Sequence, residues 1–290
     1  MLPTYLDETA LRSLGLLTLR SRRALLGVTQ GIHVSLKRGH GIEFSDYRNY
    51  QPGDNPRDID WNLYARSDRM YVKTFNEEQN LAVYIIVDGS RSMRCSIGED
   101  KWSFAASLAL GIAYVALSQR DEVSLAVLGA GAAFRIKSLS SFRQLAPLFS
   151  GTSDNNPDLA TTFRAFVART RAPGILIFIS DFLYPTETLE EVSYQARSKN
   201  LDTTFIQVLS DFDRHPYDYP LDDIFDGETG IRASLASGID SSDFDTMLTS
   251  HNRAVENVVT GSMIRFVTPA DLTDPVSFIG ANLRDVGLIG

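Results

Sequence analysis

The sequence predicts an α/β protein with a mostly parallel sheet that helices cover on both faces. From residue 81 onward, apolar runs typical of strands alternate with helical patterns of about ten residues or more. Two of these runs, residues 81–87 and Gly174–Ser180, are each followed by an acidic residue. The chain has 290 residues and is 43% hydrophobic, so it can bury the core of one large domain with elaborations.

The part of the chain before residue 81 is predicted to form a helix and a small β structure. Leucines on one side, with arginines between them, indicate a helix over residues 9–26. Residues 43–50 and 69–75 alternate like strands, and the loop over residues 51–66 between them reads QPGDNPRDIDWNLYAR. We therefore expect residues 1–77 to form an N-terminal helix and β elaboration.

The central part, residues 78–210, is predicted to be the α/β domain. Its strands and helices are expected at residues 81–87 (strand), Lys101–Ser118 (helix), 122–128 and 134–136 (strands), 141–149 and 158–170 (helices), Gly174–Ser180 (strand), Thr186–Ser198 (helix) and 203–209 (strand). Strands that alternate with helices in this way favour parallel pairing with helical crossovers.

The last part, residues 211–290, departs from that rhythm and is predicted to be a C-terminal extension. Residues 222–235 contain the turn sequence DGETG between two short apolar runs, which is typical of a hairpin. A polar helix over residues 241–259, a strand over 263–267 and a helix from about residue 275 follow.

The charge of the chain is acidic and uneven. A net charge of −8 argues against nucleic acid as a partner. Residues 201–250 hold eleven acidic residues and two arginines, whereas the start of the chain is basic. Such asymmetry either orients a protein partner or marks a solvated surface.

Several functional classes lack their sequence signals. No apolar run reaches the roughly 18 to 20 residues that span a bilayer, and the N-terminus carries acids where a secretory signal carries bases, so a cytoplasmic location is expected. The single Cys95 excludes an internal disulfide, and the four histidines show no zinc spacing. Neither a phosphate-binding loop nor a serine-hydrolase elbow occurs, and we expect no enzymatic activity.

The segment VYIIVDGSRSM, residues 83–93, carries the main candidate site. Asp88, Ser90 and Ser92 follow a strand, and open α/β sheets bind ligands beyond the carboxyl ends of their strands. Oxygen ligands without His or Cys suit Mg²⁺, and Asp181 after the strand Gly174–Ser180 adds a second carboxylate. The pattern indicates a metal-ion-dependent adhesion site of the von Willebrand factor A type. The alternative is that these residues cap a helix or close a turn.

The loop over residues 51–66 combines opposite charges with an aromatic residue. Arginine pairs carboxylates bidentately, which predicts a partly buried Asp–Arg network with a structural role; a binding surface is the alternative. The residues concerned are Asp54, Arg57, Asp58, Asp60, Trp61 and Arg66.

A resemblance covers most of the chain. Residues 41–75, followed by VDGSRSM and ISDF, resemble the bacterial family called domain of unknown function 58, and the core Y-x-P-G-D-x-x-R-x-I-D-W is its most specific part. Members of that family carry a von Willebrand factor A-like domain, and their genes commonly neighbour those of AAA+ ATPases of the MoxR type. The resemblance implies a metal-adhesion-type domain and no established enzymatic activity.

The family's metal ligands are carried over residue by residue. Asp88, Ser90 and Ser92 match the D-x-S-x-S loop, and Asp181 matches the later acid. The remaining ligand of the family is usually a threonine that opens a helix. Pro157 stands there in this chain and offers no side-chain oxygen. Either Thr152, five residues upstream, substitutes for it, or the site binds metal weakly.

These observations predict a non-enzymatic adaptor. Its site would hold Mg²⁺ or Mn²⁺ and leave one coordination position for a carboxylate of a protein partner, and the resemblance implies a MoxR-type AAA+ ATPase in a chaperone-like assembly. Two alternatives remain open. One is a scaffold with a vestigial metal site, and the other is a Mg²⁺-dependent hydrolase such as a phosphoesterase, for which Arg91, Arg94 and Lys101 are the charged residues nearby.

Overall fold

The computed structural model of the chain describes residues 6–22, 42–77, 81–94, 97–130, 133–150, 158–171, 174–219, 223–225, 232–234 and 241–290. Residues 31–80 form one compact unit, and residues 1–30 together with 81–290 form the other.

The described strands are β1 (Ile42–Asn49), β2 (Tyr71–Glu77), β3 (Ala82–Val87), β4 (Glu122–Val127), β5 (Ala133–Ile136), β6 (Gly174–Ser180), β7 (Asp202–Gln207), β8 (Asp223–Phe225), β9 (Arg232–Ser234) and β10 (Arg265–Val267). The described α-helices are α1 (Glu8–Leu14), α2 (Trp61–Ser67), α3 (Lys101–Ser118), α4 (Leu159–Val167), α5 (Thr186–Ser198), α6 (Asp211–Arg214), α7 (Ser241–Gly261), α8 (Pro275–Gly280) and α9 (Asn282–Asp285). Short 3-10 helices cover Pro56–Asp58, Ser92–Arg94, Leu139–Phe149 and Pro216–Asp218.

The larger unit is built on a six-stranded sheet with the order β10-β7-β6-β3-β4-β5. All neighbours pair in parallel except β4 and β5, which are antiparallel. The predicted α/β class with a mostly parallel sheet is therefore confirmed.

The sequence of β3 is continuously apolar because the strand is buried on both faces of the sheet. Val83, Ile85 and Val87 contribute to the core on one face of the sheet, whereas Tyr84 and Ile86 contribute to the core on the other. Successive side chains of a strand point to opposite faces, so a strand that is covered on both faces can be apolar at every position, as β3 is.

Different helices cover the two faces. The core on one face includes residues of α1, α3 and α8, with Leu14, Leu108 and Phe278 among them. The core on the other face includes residues of α4, α5 and α7, among them Phe163 and Val192. The sheet is therefore flanked by helices on both faces, as the alternating sequence predicted.

The helix α3 is apolar because it lies inside the larger unit. Among the described residues it is the single helix long and apolar enough to cross a membrane, yet 78% of it is buried within the protein. Core helices have the same composition, so its apolarity is explained by packing.

Both ends of the chain contribute to the larger unit. The predicted helix over residues 9–26 is wrong in length, because α1 ends at Leu14 and Gly15 follows it as the C-cap. Leu19 then forms an antiparallel bridge with Ile289, and both side chains are buried. The predicted assignment of residues 1–77 to one elaboration is thus wrong for residues 6–22; positions 23–26 lie outside the described residues.

The C-terminal part completes the sheet. The strand β10 pairs with β7 and forms one edge of the sheet, so residues 211–290 are more than an extension that packs on a finished domain. The predicted hairpin is present as the antiparallel pair of β8 and β9, and its turn lies outside the described residues.

In residues 42–77, the described part of the smaller unit, two strands form an antiparallel pair. The strands β1 and β2 pair with a register shift between Phe44 and Asp46. The helix α2 and the 3-10 helix Pro56–Asp58 lie between them in sequence, as does Ile59, which bridges to Val72.

Candidate functional site

Asp88 lies directly beyond the carboxyl end of β3, in the middle of the sheet. Its backbone N–H donates to the carbonyl oxygen of Ile179 at 2.9 Å, which extends the pairing of β3 with β6 by one residue. The next residue, Gly89, passes so close to the end of β4 that a Cβ atom there would overlap the carbonyl oxygen of Leu128. The glycine therefore allows the loop to turn over the sheet edge.

Neutral donors surround the carboxylate of Asp88. Oδ1 accepts from the backbone N–H of Ser90 at 2.9 Å, and Oδ2 accepts from Ser180 Oγ at 2.7 Å and from the Tyr184 hydroxyl at 2.9 Å. The side chain is fully buried. Burial raises the pKa of Asp88, and the nearby negative charge of Asp181 raises it further.

The two serines of the motif face each other. Ser90 Oγ and Ser92 Oγ are 3.0 Å apart; Ser90 is buried and Ser92 is half-buried. This distance suits a hydrogen bond between hydroxyls. It also equals the separation of about 3.0 Å between neighbouring ligands of an octahedral Mg²⁺ whose Mg–O bonds are about 2.1 Å long.

Asp181 lies at the end of β6, the neighbour of β3, and is fully buried. Its Oδ2 accepts from Lys101 Nζ at 3.2 Å, and its Oδ1 accepts from the backbone N–H of Leu183 at 3.3 Å. Phe182, between them, has a φ of 56°, which is unfavourable for a bulky residue. Its ring stacks on Phe205 and its carbonyl oxygen contacts His251 Nε2, so the surrounding structure holds this strained turn.

Lys101, the first residue of α3, carries a buried ammonium group that sequence reasoning treated only as a nearby charge. Its Nζ lies 3.2 Å from Asp181 Oδ2 and 2.8 Å from Asp213 Oδ2, and the side chain is 1% exposed. Burial alone would lower the pKa of Lys101, but the two carboxylates outweigh it and raise the pKa. Lys101 is therefore a charged group inside the protein.

One sequence signal pointed to a special role for Lys101. A lysine at the first position of a helix opposes the helix dipole, which favours acids there. Asp100, the N-cap residue, satisfies the first turn by accepting from the backbone N–H of Ser103 at 2.9 Å. At the start of α3, two carboxylates from outside the helix, Asp181 and Asp213, compensate this unfavourable cation.

Asp213 connects the site to the C-terminal part of the chain. It forms a capping box with Ser210: the backbone N–H of Ser210 donates to Asp213 Oδ2 at 2.9 Å, and the backbone N–H of Asp213 donates to Ser210 Oγ at 3.2 Å. The same Oδ2 accepts from Lys101. One ammonium group thus joins the end of β6, the start of α3 and the helix α6.

Three carboxylates and one ammonium group lie in this region. Asp88, Asp181 and Asp213 contribute carboxylates to this region, whereas Lys101 contributes one ammonium. The described residues include no group of three or more His, Cys, Asp or Glu that could hold a metal ion, so a cation here would depend on the serine hydroxyls. Thr152 lies outside the described residues, and its role stays a prediction.

Two of the charged residues that a hydrolase would need have other contacts. The guanidinium of Arg94 lies 4.1 Å from the centre of the Trp102 ring, and Lys101 is bound by two carboxylates. These contacts give both cations structural partners, which argues against a phosphate-binding role for them.

The charged loop of the smaller unit has different partners from those predicted. Asp54 forms a bidentate pair with Arg48, with N–O distances of 2.6 and 2.7 Å, and accepts from the backbone N–H of Gln51. The hydrogen bonds from Arg48, and then from Gln51, lower the pKa of Asp54 to about 2. Arg57 and Arg66 are exposed, so their predicted place in a buried network is wrong.

The other loop residues act locally. Asp60 is buried and caps α2, because its Oδ1 accepts from the backbone N–H groups of Asn62 and Leu63 at 3.0 Å. Its Oδ2 accepts from the Tyr47 hydroxyl at 3.0 Å. Trp61 is 58% exposed and meets Tyr64 edge to face, while Asp58 is half-buried.

The fold and the site define an α/β protein whose parallel sheet carries buried acids and serines at its carboxyl edge. The chain matches the family described as "Protein of unknown function DUF58" over residues 46–237. It belongs to that family.

Similar proteins come from mycobacteria and Bacteroides. Uncharacterized proteins of Mycobacterium tuberculosis and Mycobacterium bovis are each 26% identical over 298 residues, covering 96% of this chain and 91% of theirs. A solved structure of "conserved hypothetical protein BatB" from Bacteroides thetaiotaomicron covers 71% of this chain and 98% of its own, with 14% identity and a TM-score of 0.45. An "aerotolerance-related membrane protein" from Bacteroides fragilis covers 71% and 99%, with 11% identity and a TM-score of 0.43.

Proposed function

We propose that this chain is a von Willebrand factor A-like adaptor that binds a partner protein through a metal site at the carboxyl edge of its sheet. The observation that carries the proposal is the hydroxyl pair of Ser90 and Ser92, 3.0 Å apart, beside the buried carboxylate of Asp88. In the described part of the chain, no lysine or arginine donates a hydrogen bond to that carboxylate. A divalent cation would compensate its charge.

Each residue of the site has a distinct task in this proposal. Ser90 and Ser92 would hold Mg²⁺ or Mn²⁺, and Asp88 and Asp181 would supply negative charge around it. A bound cation with a free position supplies Lewis-acid docking for a carboxylate. Ser180 and Tyr184 orient Asp88 by donating to its Oδ2.

The proposed partner is an AAA+ ATPase of the MoxR type, on the family resemblance. A carboxylate of that partner would take the free position, and contacts around the rim would set the specificity. The chain would then act as an adaptor in a chaperone-like assembly.

A second candidate is a scaffold whose metal site is vestigial. The observation that favours it is the ion pairing of Lys101, which already neutralises charge at Asp181 and Asp213 without a metal. In that case partner binding would be independent of divalent cations.

Calorimetry with Mg²⁺ and Mn²⁺ separates the two candidates. The double variant Ser90→Ala/Ser92→Ala removes both proposed ligands and should abolish the binding isotherm. A matched control is Ser138→Ala/Ser140→Ala, which removes an exposed serine pair whose hydroxyls are 2.7 Å apart. If the wild type shows no isotherm, or both double variants bind as it does, the proposed metal site is wrong.

A pull-down of the MoxR-type ATPase from the same organism tests the partner. With the metal site in use, EDTA and the Ser90→Ala/Ser92→Ala variant should each weaken the complex, whereas the Ser138→Ala/Ser140→Ala control should not. A complex that survives both treatments supports the scaffold. Absence of any complex with wild type and metal contradicts the proposed partner.

A further inference from the structure

The larger unit carries an apolar groove next to the site. It has a volume of about 400 Å³ and lies between α6, the turn after β6 and the first half of α7. Its apolar lining consists of Leu183, Phe212, Pro216, Phe244, Met247 and Leu248. The volume is within the usual range for a pocket that takes a ligand or an anchoring side chain.

The helix α7 explains why the groove is apolar. Phe244, Met247, Leu248 and His251 follow helical spacing and therefore share one face, which continues to Val255. Val255 is fully buried in the core beneath the sheet. In the first half of the helix the same stripe faces the groove, and Met247 is 64% exposed. The core of the larger unit thus covers the apolar face of α7 only in its second half.

Leu183 forms the opposite side of the groove. It is 40% exposed, although it follows a turn that is otherwise buried. Its backbone N–H donates to Asp181, and the carbonyl oxygen of Phe182 contacts His251. The wall is therefore held by fixed contacts and is pre-organised for a ligand.

Asp213 lines the groove, and the exposed acids on the segments that form the groove are called its acidic rim. Asp211, Asp218, Asp243 and Asp245 are exposed on the segments that form it. The one arginine of α6, Arg214, donates to the backbone carbonyl oxygens of Pro269 and Ala270. An apolar centre with an acidic rim complements a segment with apolar anchors flanked by basic side chains.

We infer that this groove binds an amphipathic helical segment of a partner protein that carries apolar anchor side chains flanked by lysine or arginine. The apolar anchors fill the space between Leu183 and Met247, and the basic side chains face the acidic rim. Such a contact needs no metal and does not depend on the proposed adhesion site.

Three labelled synthetic helical peptides test the inference by fluorescence anisotropy with the full chain. The first has leucine and phenylalanine at helical spacing between lysines and arginines. The second keeps the apolar residues and replaces the basic ones by glutamate, and the third keeps the basic residues and replaces the apolar ones by serine. The first should bind, and the other two should bind at least about tenfold more weakly.

Variants locate the binding surface. Met247→Lys should weaken binding of the first peptide by about tenfold or more, because it places a cation in the apolar lining of the groove. Met263→Lys is the matched control, since Met263 is 68% exposed but lies beyond the far end of α7. Asp243→Lys/Asp245→Lys should also weaken binding, whereas Glu187→Lys/Glu190→Lys on α5 makes the same charge change and should have a smaller effect.

The outcomes are unambiguous. The inference is wrong if the first peptide fails to bind or if the glutamate peptide binds equally well. It is also wrong if Met247→Lys and Met263→Lys have equal effects. Binding that EDTA abolishes would place the peptide at the metal site and also overturn it. Binding that persists in EDTA supports the groove whether or not the metal site exists, so the two proposals succeed or fail separately.

Discussion

Replacing Lys101 by methionine should destabilise the protein strongly. Methionine keeps an unbranched apolar stem of similar length but removes the ammonium that pairs Asp181 and Asp213. Asp181 is fully buried and would be left as an uncompensated charge. Asp213 is 12% exposed and keeps its hydrogen bonds from Ser210, so it should contribute less to the loss.

The expected loss is about 3–5 kcal/mol, the usual cost of removing one partner from a buried pair. Urea denaturation followed by circular dichroism at neutral pH measures it. The control is Lys137→Met, since Lys137 is 71% exposed and pairs with Glu122 at the surface. That control should change the free energy of unfolding by at most about 1 kcal/mol.

A second substitution checks the cause. Adding Asp181→Asn to Lys101→Met removes the buried charge and should restore more than half of the lost stability. If Lys101→Met alone costs less than about 1 kcal/mol, the ammonium is not a buried structural cation and the reasoning fails. The reasoning also fails if adding Asp181→Asn lowers the stability of the Lys101→Met variant further.

Three further predictions concern other positions. Burial raises the pKa of Asp121 to about 6, so the contribution of Asp121 to the free energy of unfolding should fall as pH rises from about 4 to 6. Urea titrations should therefore show the Asp121→Asn variant about 1–3 kcal/mol more stable than the wild type at neutral pH. The same pH dependence of stability in wild type and variant would contradict this. Gly89→Ala should displace the Asp88 loop from Leu128 and lower the melting temperature, whereas an unaltered melting temperature would exclude the close approach. Asp60→Ala should cost about 1–2 kcal/mol in urea denaturation through loss of the α2 cap, while exposed Arg57→Ala should stay within about 0.5 kcal/mol, and equal effects would refute the assignment.

The sequence by itself determined the elements with strong local patterns. The helices Lys101–Ser118 and Thr186–Ser198 and the strand Gly174–Ser180 have the predicted bounds, because apolar residues at helical spacing, or in an unbroken short run, fold in few ways. The alternation of strands and helices also placed Asp88 and Asp181 at one edge of the sheet, since parallel strands end on the same side.

Local pattern was insufficient where the chain ends or folds back. The leucines after Leu14 suggested a longer helix, but Leu19 bridges to Ile289 at the other end of the chain. The strand β10 is only three residues long, and its place beside β7 depends on pairing with a distant partner. Such long-range pairing leaves no periodic signal in the sequence.

Charge pairing was decided by the tertiary structure alone. Composition showed many acids and bases, yet it did not reveal that Lys101 meets Asp181 and Asp213, or that Asp54 takes Arg48 in place of Arg57. An ion pair depends on a separation of a few ångströms and on burial, and both are set by how remote segments come together. The residue types at the site were readable from the sequence, whereas their partners, protonation and neighbouring groove required the fold.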